Sequence, residues 1–105
     1  MLKIREFSKL CNCSVYTLRY YDQIGLLKPS IINNNSGYRF YDETQLDEYI
    51  QIKDFQSIGF SILEIQSLNK KTNKQILIMI DRKVEHLEEK KELAIYLKEK
   101  YFGGK

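Results

Sequence analysis

The apolar positions of this chain change their spacing several times along its length, and each change marks a new element. Ile4, Phe7 and Leu10 recur three residues apart, with Lys3, Arg5, Glu6 and Lys9 around them, which predicts a short amphipathic helix over residues 3–10. Asn12 interrupts it. Ser14 then offers an N-cap to a second helix carrying Val15, Leu18 and Tyr21 or Asp22 at helical spacing and ended by Gly25. The short join between the two predicts a helix-turn-helix, the arrangement in which the second helix enters a DNA major groove. After Pro29 come Ile31-Ile32, a polar turn Asn33-Asn34-Asn35-Ser36-Gly37, and Tyr38-Arg39-Phe40-Tyr41, a hairpin placed where a wing belongs.

Downstream, Asp42 with Gln45 predicts a capping box opening a third helix, whose buried stripe is Leu46, Tyr49, Ile50 and Ile52 or Lys53 and whose stop is Gly59. Ser61 with Glu64 opens a short helix with Ile62, Ile65 and Leu68. Thr72 with Gln75 opens a run from Asn73 to Phe102 that holds no Gly or Pro, roughly 45 Å of helix at about 1.5 Å per residue. Along that run Ile76, Ile80, Val84, Leu87, Ala94, Leu97 and Tyr101 form a near-heptad stripe with a polar position near Lys90 or Lys91. A small head can cover the Ile76 end but not Leu87 to Tyr101, so the stripe is expected to be a homodimer interface. The fold class is therefore mostly α: a winged helix-turn-helix head with a short β-hairpin wing over residues 1–70, and a coiled-coil dimerisation helix over residues 71–105.

Composition narrows the class. At 105 residues the chain holds one small core, and 43% apolar with 30% charged residues excludes a disordered chain. No apolar run reaches the ~18 residues of a membrane span, and no basic stretch with an apolar core opens the chain; a cytoplasmic protein without membrane contact is expected. The net charge of +3 is unevenly spread. Residues 1–41 hold six basic groups against two acids, whereas residues 42–60 hold five acids against one base. The basic first segment coincides with the tyrosine cluster, the footprint of a phosphate-binding face.

That segment carries the candidate chemistry. Arg19 suits a phosphate or a guanine edge, and Tyr16, Tyr20, Tyr21, Tyr38 and Tyr41 offer hydroxyls to phosphate oxygens and flat rings to sugars. The hairpin's second strand alternates aromatic residues with Arg39, which favours nucleic-acid contact over a plain surface hairpin. Cys11 and Cys13 with His86 cannot complete a tetrahedral zinc site, so neither metal nor cofactor is expected. The two cysteines read as packed thiols, with redox sensing or metal as the alternative. An enzyme built on Cys11 or Cys13 with His86 lacks a carboxylate to orient the histidine, so no catalytic residue is expected.

Taken together, Ile4-Arg5-Glu6-Phe7-Ser8-Lys9-Leu10, Thr17-Leu18-Arg19-Tyr20-Tyr21-Asp22, Ile24-Gly25-Leu26-Leu27-Lys28-Pro29, Gly37-Tyr38-Arg39-Phe40-Tyr41 and Ile58-Gly59-Phe60-Ser61 with Glu64-Ile65 resemble the mercury-resistance regulator (MerR) family of bacterial transcription regulators. The resemblance covers residues 1 to about 70. It implies that Ser14 to Asp22 is the recognition helix, that the hairpin is the first wing, that the helices flanking Gly59-Phe60-Ser61 are the second wing, and that the long helix pairs antiparallel with its mate. It also implies a regulator that distorts promoter DNA and so acts on RNA polymerase indirectly. By position, Tyr16, Thr17, Arg19 and Tyr20 should touch bases or phosphates, Tyr20 and Tyr21 the backbone, and Tyr38 and Arg39 the flanking phosphates or minor groove, with Ser14 and Lys28 in the same set. Relatives often carry a basic residue where Gln56 stands; Lys53, one turn earlier, is expected to substitute. The sequence names no effector, since Phe102-Gly103-Gly104-Lys105 brings no cysteine or histidine. Two other readings are an architectural or excisionase-like DNA-bending protein and a small-molecule sensor with a pocket around Phe55, Phe60 and Tyr96.

Overall fold

Residues 1–104 are described by a computed structural model, and Lys105, the last residue of the expected dimerisation segment, lies outside them. The order of elements is β1 (Leu2–Lys3), α1 (Ile4–Cys11), α2 (Val15–Gln23), β2 (Ile31–Ile32), β3 (Arg39–Tyr41), α3 (Gln45–Ser57), α4 (Ile62–Ser67), a 3-10 turn (Leu68–Lys70) and α5 (Asn73–Phe102). The chain divides into a unit spanning Met1–Ser67 and a second beginning at Leu68.

In the first unit, α1 ends where Asn12 turns left-handed, at φ 56° and ψ 47°. Asn tolerates that region better than most residues. The Ser14 side chain accepts from the Thr17 backbone N–H at 3.0 Å and so caps α2. Gly25 follows α2 at φ +77° and Gly59 follows α3 at φ +98°, both costly for a residue with a Cβ. The core gathers Phe7, Leu18, Tyr21, Leu27, Tyr41, Tyr49, Ile52, Phe60 and Ile65. Phe7 and Tyr41, both fully buried, stack with ring centroids 4.5 Å apart.

Three details depart from the sequence reading. The hairpin is the larger part of a three-stranded antiparallel sheet in the order β1-β3-β2, with Leu2 opposite Tyr41 and Ile31 opposite Phe40. A two-residue strand such as β1 has no periodicity to read; only its long-range pairing defines it. The helix α3 starts at Gln45 rather than Asp42, because the Asp42 carboxylate is taken by the backbone N–H and hydroxyl of Thr44. Its buried stripe is Gln45, Tyr49 and Ile52, whereas Leu46 is half-buried and Ile50 and Lys53 face solvent.

Gln45 is the least expected of these, a buried amide holding three segments together. Its Oε1 accepts from the Ser30 hydroxyl at 2.7 Å and the Asp42 N–H at 2.9 Å, and its Nε2 donates to the Lys28 carbonyl at 2.6 Å. A buried amide is tolerated when its polar atoms are satisfied in this way. In the second unit, Thr72 and Gln75 form the expected capping box and α5 runs for 30 residues with none buried.

Candidate nucleic-acid interface

The helix α2 has two faces. Leu18 and Tyr21 point inward, while Tyr16, Arg19, Tyr20 and Gln23, at the i, i+3, i+4, i+7 spacing of one helical stripe, are exposed. Tyr16 is 81% exposed and so projects almost its whole ring from the first turn. Thr17 is half-buried, its hydroxyl bound to that of Ser14 at 2.9 Å. The cap therefore occupies both hydroxyls of the helix start and presents the backbone end of α2 outward. Gln23 was missed by the sequence reading, although its place one turn beyond Arg19 and Tyr20 was visible in the spacing; its amide suits an adenine edge.

Tyr21 must be removed from the contact set. It is 4% exposed, because its position faces the core, and burial raises its phenol above the ordinary value, with Cys13 alongside. Tyr41 is likewise a core residue, fully buried, its phenol pushed up to about 12 by burial and by the Asp22 carboxylate nearby. Neither hydroxyl is available to a phosphate. Phe60, 3% exposed and packed edge-on against Phe55 at 4.9 Å, is equally unsuited to line an open pocket.

The wing is fastened to the recognition helix. The Nε of Arg39 donates to the Asp22 carboxylate at 2.7 Å, with the two side chains 39% and 14% exposed. Part of the guanidinium is therefore committed to Asp22, and the rest of the side chain stays partly exposed. Asp22 is a positioning residue that charge counting alone could not reveal, since it reads there as an offset to the basic face. The hairpin tip is closed by Asn33, whose side-chain oxygen accepts from the N–H groups of Asn35 and Ser36 at 2.9 and 3.2 Å. Tyr38, 56% exposed, lies beneath the Lys3 ammonium at 4.9 Å from its ring centroid. That contact brings Lys3 into the cationic surface of the wing.

The two remaining lysines of the expected contact set are both exposed. The backbone of Lys28 is held by Gln45 while its side chain is exposed. Lys53 is exposed on α3, its ammonium 5.9 Å from the Tyr49 ring. The side-chain amide of Gln66 on α4 donates to the Ile24 carbonyl and ties the end of α2 to α4. Among the described residues no group of three His, Cys, Asp or Glu side chains is placed to hold a metal ion, and no helix is long and apolar enough to cross a membrane.

Known proteins resemble this chain in sequence and in geometry. A family model described as the MerR HTH family regulatory protein matches residues 2–71. The multidrug-efflux transporter 2 regulator of Bacillus subtilis is 40% identical over a match covering 80% of this chain and 33% of that protein. The crystal structure of the N-terminus of MtaN, the multidrug transporter activator of Bacillus subtilis, superposes with a TM-score of 0.79 at 29% identity, covering 92% of this chain and 91% of that one. A cryo-EM structure of an EcmrR–DNA complex superposes with a TM-score of 0.65 at 32% identity, covering 95% of this chain and 40% of that one. The chain spans about a quarter to a third of the length of the first three curated relatives it matches.

Proposed function

The chain belongs to the MerR family of helix-turn-helix regulators of transcription, and from that premise we propose that it binds double-stranded promoter DNA as a homodimer, reads it with α2, and acts on RNA polymerase by distorting the promoter. The observation that carries the reading is the exposed stripe Tyr16, Arg19, Tyr20 and Gln23, braced against the wing by the Arg39–Asp22 ion pair. Tyr16, Arg19, Tyr20 and Gln23 reach base edges or adjacent phosphates, Ser14 and Thr17 present the start of α2, and Lys28, Tyr38, Arg39 and Lys53 grip the flanking backbone. The dimer holds two such heads at a fixed separation, as a two-half-site operator requires. Head and dimerisation segment divide the work at about residue 70.

The sequence of α5 favours antiparallel pairing. Ile76, Ile80, Lys83, Leu87, Lys90, Ala94, Leu97 and Tyr101 alternate spacings of four and three. Val84 lies about 100° round the helix from Lys83, so it flanks this seam rather than filling it. Paired antiparallel about a centre between Leu87 and Lys90, Ile76 meets the partner's Tyr101, Ile80 the partner's Leu97, Lys83 the partner's Ala94, and Leu87 the partner's Lys90. The lysine stems then lie along apolar side chains with their ammonium groups at the rim. A parallel, in-register pair would instead set Lys83 and Lys90 each against its own copy, like charge facing like charge. Sedimentation of the free protein and end-to-end distances in a dye-labelled operator test the reading together. A dimer that shortens the operator is expected; a monomer, or an operator of unchanged length at saturation, overturns the dimeric distortion mechanism.

A further inference from the structure

Cys11 and Cys13 take no part in the DNA face, yet they bracket the residue on which the helix-turn-helix turns. Asn12, between them, is the one residue other than glycine with positive φ among the described residues. Its left-handed turn folds Cys13 back over the end of α1, where the Cys13 N–H donates to the Ser8 carbonyl at 3.0 Å and the Asn12 N–H to the Lys9 carbonyl at 3.2 Å. The two thiols come into contact there, and the Tyr49 hydroxyl lies against Cys13. Access differs between them: Cys11 is 8% exposed, whereas Cys13 is half-buried. The Ser14 cap of α2 follows immediately.

We infer that Cys11 and Cys13 form a reversible thiol switch for small hydroperoxides, closing to an intramolecular disulfide that displaces the recognition helix. The Cys13 sulfur attacks the peroxide oxygen, the O–O bond breaks, and Cys13 sulfenic acid and an alcohol or water are released. The Cys11 sulfur then attacks the sulfenic sulfur, its proton leaves with the hydroxyl as water, and the S–S bond forms. Burial pushes the Cys11 thiol up to about 12, so Cys13, the more exposed of the two, is the sulfur that meets the peroxide first and Cys11 is the resolving thiol. The new bond fixes its own dihedral near a right angle, a constraint the present thiol contact does not impose. It falls on the three residues that set the angle between α1 and α2, so the exposed stripe of α2 is re-aimed and α2 contacts are lost. A thiol reductant restores them.

The effect on DNA rests on the proposed DNA binding; formation of the disulfide does not, so the two are measured separately. The full chain is treated with hydrogen peroxide, and its intact mass and peptide map are followed beside its affinity for a selected operator. We expect a within-chain Cys11–Cys13 disulfide, a fall in operator affinity of about tenfold or more, as loss of one or more base contacts gives, and recovery with dithiothreitol. Cys13→Ser should bind DNA when untreated and ignore peroxide. If that variant does not fold, the oxidation and reduction cycle of the wild type alone decides. The inference is overturned if both thiols remain open to alkylation after treatment, if the bond joins two chains, or if the disulfide form binds DNA as the reduced form does. Reduced protein that fails to bind any DNA overturns the functional reading instead, and leaves the disulfide to be judged by mass.

Discussion

The head and the long helix solve opposite problems. In the head, short elements bury Phe7, Leu18, Leu27 and Tyr41 almost completely, and polar groups such as Gln45 and Asp22 are consumed in internal bonds. Along α5 no residue is buried: Leu87, Leu93, Ile95, Tyr96 and Tyr101 are each at least half exposed. A head closed on itself can offer its surface to a ligand as a rigid unit. An open helix with an apolar stripe invites association, because exposed contiguous apolar surface of this kind marks interaction sites. On the proposed function, the contrast teaches that DNA reading by the head and dimerisation through α5 should fail independently.

The largest separation is expected from Leu97→Asp. A carboxylate in the seam is tolerated poorly, so sedimentation should report monomers, while circular dichroism and thermal melting show the head folded. Loss of linkage should lower affinity for a two-half-site operator by about 10²–10⁴-fold and leave a single half-site nearly unaffected. A head that melts with the dimer would erase the comparison.

Phe7→Ala addresses the other side. Truncating a fully buried ring stacked on Tyr41 should cost about 3–5 kcal/mol, enough to unfold the head in a denaturant titration. The same core sets an alkaline limit. Tyr41 and Tyr49 are pushed up to about 12 from 10.0, and Cys11 to about 12 from 9.0, chiefly by burial. Their folded values are raised, so the stability they support is complete below the ordinary values and lost as pH rises from about 9 or 10 through about 12. Melting temperatures followed across that range should fall, with tyrosinate absorbance rising at the transition; constant melting temperatures would contradict the buried phenols.

Tyr16→Ala sharpens the function of the head without touching its core. Discrimination at one operator position should fall by about 1–3 kcal/mol if the ring meets a base, with the dimer intact. A selection that returns the same sequence as the wild type refutes that role. The smallest effect belongs to Arg39→Ala, which should weaken specific and random DNA alike and lower the salt slope by about one unit. Because Asp22 holds one edge of that guanidinium, loss of preference at a single base pair would identify Arg39 as a base reader instead.

Much of this was legible in the sequence, for physical reasons. Ser14 and Thr72 announce their helices because capping is local chemistry, and α5 declares its length because nothing in residues 73–102 can stop a helix. The inward turn of Tyr21 and Tyr41 was harder to see, since a tyrosine suits a core and a phosphate contact equally, and only the Phe7 stack decides for Tyr41. The β1 strand, the Gln45 hub and the Asp22–Arg39 pair depend on residues far apart in sequence that periodicity does not relate. Gln23 could have been found by continuing the Tyr16, Arg19, Tyr20 stripe by one turn.

The central claim is that two self-contained heads, joined through α5, read one stretch of DNA. Selection of bound sequences from a random double-stranded DNA pool by the untreated protein tests it most directly. The account predicts enrichment of two inverted half-sites at one fixed spacing. Enrichment of a single half-site without a repeat would contradict the dimer, and no enrichment at all would contradict the reading helix.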